Sequence, residues 1–96
     1  MRRTLAAAIG FVSVAAVGVA AAEPPAGAAA CSGCHPASTR VTSPVPRLAG
    51  LDRAAIVRAM EDFRAGTRPA TVMDRIAKGF TDAEIQAIAA WYATQR

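Results

Sequence analysis

The chain has 96 residues, 53% of them hydrophobic and 5% aromatic, and a formal net charge of +4. Without Arg2 and Arg3 the eleven basic residues fall to nine, against seven acids. A balance so close to neutral gives no electrostatic case for nucleic-acid binding, and the length leaves room for one small domain.

Residues 1–22 read as a cleavable export signal. Arg2 and Arg3 form a positive start, Leu5 to Ala20 is an uncharged apolar stretch, and Ala20-Ala21-Ala22 supplies small residues at a cleavage point before Glu23. A retained membrane anchor is the competing reading of that stretch. Its Ala, Val and Gly content lowers its hydrophobicity and favours removal, so no stable anchor is expected. A lipoprotein signal fits poorly, because Ala28 rather than Leu stands three residues before Cys31. The mature domain is then expected over 23–96, in the periplasm. A domain this short struggles to bury enough apolar surface unaided.

Glu23 to Gly27 is a Pro/Gly-containing lead-in. Ala28 to Cys34 is rich in the best helix former and predicts a short first helix. Pro36 pushes His35 away from the helical region, which should stop it there. Residues 36–50 hold three prolines and no apolar periodicity, as an ordered loop would. A second helix is predicted over Asp52 to Ala65, with Asp52 as N-cap, Ile56, Val57, Met60 and Phe63 along one face, and Gly66 after the end. Pro69 marks a break, and Thr71 to Lys78 predicts a short helix ending at Gly79. The last helix starts at a capping box of Thr81 and Glu84, with Ile85, Ile88, Ala89 and Tyr92 at helical spacing and Trp91 beside them. No strand-like alternation appears. The predicted class is all-α, with three to four helices.

Both cysteines and the single histidine fall in one window, Cys31-Ser32-Gly33-Cys34-His35. C-x-x-C-H is the attachment signature for c-type haem. Each thiol adds across a haem vinyl group, and the adjacent imidazole becomes an axial iron ligand. One covalent haem c is therefore expected on Cys31 and Cys34, ligated by His35, and it would serve as a large apolar body for the helices to pack on. A disulfide across two intervening residues closes a tiny loop, stabilises little and leaves the histidine unexplained.

An electron-carrying haem normally has a second protein ligand. With no other histidine, a methionine thioether is the available soft donor. Met1 leaves with the signal, so the choice lies between Met60 and Met73. Met60 sits mid-helix on the apolar stripe, where core filling explains it. Met73 lies beyond the break at Pro69 and is the expected ligand. A ligating imidazole usually donates its other N–H to an acceptor, and the carbonyl of Pro46, on a stiffened backbone, is the candidate. Arg47 follows and could pair with a haem propionate; a solvated surface arginine is its plainer reading.

These residues together resemble the class I cytochromes c. The likeness runs through Cys31-Ser32-Gly33-Cys34-His35, Pro46-Arg47-Leu48-Ala49-Gly50, a ligand methionine, and Glu84-Ile85-Gln86-Ala87-Ile88-Ala89-Ala90-Trp91-Tyr92. It implies that the attachment helix crosses the C-terminal one, with Gly27 and Ala28 against Ala89 or Trp91. It also implies that the loop proline presents its carbonyl to the ligand histidine. The stretch Asp52 through Gly66, and Val72-Met73-Asp74-Arg75-Ile76-Ala77-Lys78-Gly79-Phe80, are similar to the haem subunit of flavocytochrome c sulfide dehydrogenases. That resemblance implies Met73 as the iron ligand. It also implies an FAD-containing flavoprotein partner that oxidises sulfide, and another cytochrome as electron acceptor. The chain departs from the family in carrying one attachment motif where some members have two haem domains, and Pro36 where glycine is more usual.

Nothing in the sequence does bond chemistry on a substrate: it has no paired acid and base, no Ser/His/Asp set and no second histidine. The expected role is electron transfer through the haem, as a subunit of a sulfide dehydrogenase or as a free-standing diffusible carrier of a respiratory chain. A thiol–disulfide oxidoreductase would want a βαβ setting and a thiol at a helix N-terminus. Structural zinc would want a fourth ligand.

Overall fold

The computed structural model describes residues 10–16, 18 and 23–96. The predicted export signal lies largely outside these residues, and its cleavage point at 20–22 wholly so. Four helices follow in chain order: α1 (Ala28–Cys31), α2 (Arg53–Ala65), α3 (Met73–Ala77) and α4 (Asp82–Thr94). The described residues contain no strand, and the domain is all-α. No helix among them is long and apolar enough to cross a membrane.

The two long helices are fixed by their ends. The Asp52 carboxylate accepts the Ala55 N–H at 3.1 Å and opens α2. Gly66, at φ 77°, closes it: its N–H reaches the Phe63 carbonyl at 3.2 Å, and the Thr67 N–H reaches Asp62 at 3.0 Å. That double return is a Schellman stop, and a left-handed residue after the last turn is what it requires. At α4 the Thr81 hydroxyl accepts the Glu84 N–H at 3.2 Å, and Asp82 and Glu84 place negative charge in the first turn.

Helices α1 and α3 are shorter than the sequence suggests. The first ends at Cys31 and continues as turns through Cys34, because Gly33 weakens propagation and Pro36 cannot donate an N–H to extend it. The third begins only at Met73, since Val72 sits at φ −141°, outside helical backbone. A helix of one turn cannot hold itself, so both depend on what they pack against.

α2 packs against both α3 and α4. Ala28, Ile56, Ile88, Ala89 and Tyr92 form the buried cluster, with Cys31, Leu48, Val57, Phe80 and Trp91 against it. Each buried isoleucine contributes roughly 1.5–3 kcal/mol by leaving water. The Arg64 guanidinium ties the end of α2 to the start of α4, donating to the Asp82 carboxylate and, at 2.7 Å, to the Phe80 carbonyl. Farther along, Arg53 donates to the Gln86 side chain at 2.9 Å. Gly27, at φ 86°, lies against Phe80 and Ile88; a Cβ there would stand 2.6 Å from the Phe80 ring. Ala28, as expected, shares the cluster with Ala89, and both are fully buried.

Candidate functional site

The attachment segment leaves α1 in a tight series of turns. The Cys31 carbonyl accepts two N–H groups, that of Cys34 at 3.2 Å and that of His35 at 2.9 Å. This shared acceptor draws both cysteines and the histidine into one short curve. Cys31 is half-buried against the core cluster, Cys34 is exposed, and His35 is half-buried.

The His35 ring faces the proline loop, with Nδ1 2.6 Å from the Pro46 carbonyl oxygen. A carbonyl can only accept, so Nδ1 carries a proton, and in the neutral ring Nε2 presents its lone pair. A neutral imidazole with one nitrogen satisfied and the other open is what a metal needs from a histidine ligand. Arg47 braces the loop itself: its Nε donates to the Ala37 carbonyl at 2.7 Å and one terminal nitrogen to Ala49 at 3.4 Å. It clamps the two ends of the loop that carries Pro46.

Burial pushes the Cys31 thiol up from its ordinary value, against the opposing pull of a backbone hydrogen bond and the Tyr92 hydroxyl. Burial raises the Tyr92 phenol as well, and the neighbouring Cys31 adds to the shift. A thiol held protonated is the reverse of what thiol–disulfide exchange asks of its attacking cysteine. The absence of strands among the described residues removes the βαβ setting too.

Met60 and Met73 are equally half-buried, so burial does not separate them. Position does: Met60 lies inside α2, one turn from buried Ile56, whereas Met73 opens α3 after the irregular stretch from Gly66. A cleft of about 280 Å³ runs beside His35, Leu48 and Trp91, but neither cysteine lines it. It is therefore not the seat of a group bonded to both.

Apolar side chains left exposed elsewhere offer contact to a large apolar body. Among the described residues no large side chain is wholly removed from water, while Val41, Leu51, Val72 and Ile76 stay 56, 41, 48 and 39% exposed. Two of them belong to the segment around the proline loop and two flank Met73. A small domain that exposes such residues while presenting two thiols and an open imidazole nitrogen fits a covalently attached haem.

Sequence reasoning placed Tyr92 in the apolar stripe and missed its hydroxyl, which donates to the Ala28 carbonyl at 2.6 Å. A buried tyrosine hydroxyl almost always has a partner, so the need was readable though the partner was not. Trp91 stacks edge-on against Tyr92, ring centres 4.9 Å apart, and its Nε1 is buried without a partner among the described residues.

The chain is 40% identical over 62 residues to the cytochrome subunit of sulfide dehydrogenase from Chlorobaculum tepidum, covering 65% of this chain and 56% of that protein. It is 37% identical over 65 residues to cytochrome c-552 of Acidithiobacillus ferridurans, covering 68% of this chain and 28% of that protein. The chain belongs to the c-type cytochromes. A third relative, the thiosulfate dehydrogenase electron acceptor of Stutzerimonas stutzeri, is 38% identical over 65 residues, covering 66% of this cytochrome and 30% of that protein. The cytochrome thus spans just over half of one relative and under a third of the other two. No protein-family model matches it. Membership implies covalent haem c, and the single Cys-x-x-Cys-His motif implies one such group per chain.

Proposed function

We propose that this cytochrome is a periplasmic one-electron carrier with His35 and Met73 as axial ligands, and that it takes electrons from an FAD-containing sulfide dehydrogenase subunit. The observation that carries the ligand reading is the Pro46 carbonyl 2.6 Å from His35 Nδ1, which leaves Nε2 free for iron. The haem, when bound, supplies the Fe(III)/Fe(II) couple. The chain's part is to anchor it through Cys31 and Cys34, to fix the imidazole with Pro46, and to offer a thioether from Met73. Thioether ligation raises the potential relative to two histidines, which suits an acceptor of electrons from a flavin.

Met73→Ala is expected to abolish the weak near-infrared charge-transfer band of methionine-ligated ferric haem, and Met60→Ala to leave it. The reverse result would move the ligand to Met60. The partner reading draws on the likeness to a sulfide dehydrogenase's cytochrome subunit. Co-purification with a flavin-absorbing protein, and reduction of the haem by sulfide only when that protein is present, are the expected results. The likeness to the thiosulfate dehydrogenase electron acceptor favours a second reading, a free-standing diffusible carrier that accepts electrons from another dehydrogenase. Purification alone, with no reduction by sulfide in the periplasmic extract, would select it.

A further inference from the structure

Tyr92 meets the attachment segment through its side chain and the proline loop through its backbone. Its hydroxyl donates at 2.6 Å to the carbonyl of Ala28, the first residue of α1. Among the described residues this is the one side-chain hydrogen bond from α4 to that segment. Three residues on, the Cys31 carbonyl receives the His35 N–H. On the other side, the Tyr92 carbonyl accepts the Gly50 N–H at 3.0 Å. Gly50 ends the loop whose Pro46 carbonyl holds His35 Nδ1. The backbone and the ring of His35 are thus steadied by two separate paths, and both end on one residue. Tyr92 is 93% removed from water (7% exposed) and its hydroxyl bond is buried, so that bond does not compete freely with solvent.

We propose that Tyr92 is a positioning residue for the axial histidine, setting the orientation of the His35 imidazole plane by clamping the attachment segment and the proline loop to α4. The inference rests on the reading of His35 as an iron ligand. A four-residue helix has no rigidity of its own, and Pro46 can orient the ring only as well as its loop is held. Removing the hydroxyl frees one path and leaves the ring's packing in place.

The test is proton NMR of the ferric holoprotein, in which the spread and order of the haem methyl resonances report the orientation of the axial imidazole. Tyr92→Phe should change that pattern while the covalent haem stays attached at one per chain. Thr81→Ala, which weakens the start of α4 without touching either path, should lower stability and leave the pattern as in the wild type. An unchanged pattern in Tyr92→Phe overturns the proposal. Should that variant fail to retain haem, the wild-type holoprotein decides: a Tyr92 hydroxyl proton exchanging slowly with water, close to Ala28, supports the clamp, and one exchanging at the solvent rate overturns it. A wild-type ferric spectrum without low-spin histidine ligation would overturn the ligand assignment itself. It is seen before any variant is made, which distinguishes that failure from failure of the clamp alone.

Discussion

Helix α2 starts at the Asp52 carboxylate and stops at left-handed Gly66, and α4 starts at Thr81; each of these signals lies within three residues of the helix end it sets. Residues 27–51 are built otherwise. There the one-turn α1 is held by Tyr92, 64 positions away, and the loop is held by Arg47 to Ala37 and by Gly50 to the Tyr92 carbonyl. One region specifies itself locally, and the other takes its shape from bonds that exist only once the first has folded. The proposed haem-binding residues Cys31, Cys34 and His35 sit in the dependent region. In a cytochrome arranged so, the attachment segment is the pliable part, which a covalent haem would lock against the frame.

The largest effect should come from removing that lock. Cys31→Ser combined with Cys34→Ser is expected to give the bare polypeptide mass and a broad or absent thermal transition. Among the described residues no large side chain is buried completely, and so small a core does not offset the conformational entropy of folding. A sharp transition in the haem-free variant would show that the frame is self-sufficient and the dependence runs less deep.

Two glycines sharpen the comparison, because both have left-handed backbones and only one is crowded. Gly27, in the dependent region, has φ 86° and would place a Cβ 2.6 Å from the Phe80 ring; Gly66, in the frame, has φ 77° and open space around it. Gly27→Ala should destabilise the holoprotein by about 2–4 kcal/mol, combining backbone strain with overpacking. Gly66→Ala should cost only the strain, about 1–2 kcal/mol. Denaturant unfolding of the two holoproteins checks the order, and equal losses would mean that the Phe80 ring yields without penalty.

The same division explains what was legible beforehand. Asp52, Gly66 and Thr81 act on neighbours a few positions away, so their pattern reveals the helices they bound. The all-α class followed from them, and the attachment motif from chemistry that needs five adjacent residues. The extent of α1 was overestimated because alanine content speaks for helix while Gly33 and Pro36, just beyond, speak against its continuation. Arg47 illustrates the other limit. Its guanidinium donates to Ala37 and Ala49, whose carbonyls no periodicity places beside it. The Tyr92 hydroxyl required a buried acceptor, and the resemblance brought the two helices together, but neither named the Ala28 carbonyl as its partner.

The smallest effects belong to the caps, and they test whether the two regions are energetically separable. Asp52→Ala removes the acceptor of the Ala55 N–H, and Thr81→Ala that of the Glu84 N–H, each worth about 1 kcal/mol. Asp52→Asn should recover most of the first loss, since an amide oxygen caps nearly as well as a carboxylate. Neither helix start touches His35, Pro46 or the cysteines, so the midpoint of unfolding should fall while the charge-transfer band and the reduction potential stay where they were. A cap variant that moved the potential would mean that α2 or α4 transmits strain to the iron site. The attachment segment would then respond to the ends of the frame as well as to its Tyr92 anchor, and the two regions could no longer be treated as joined at that residue.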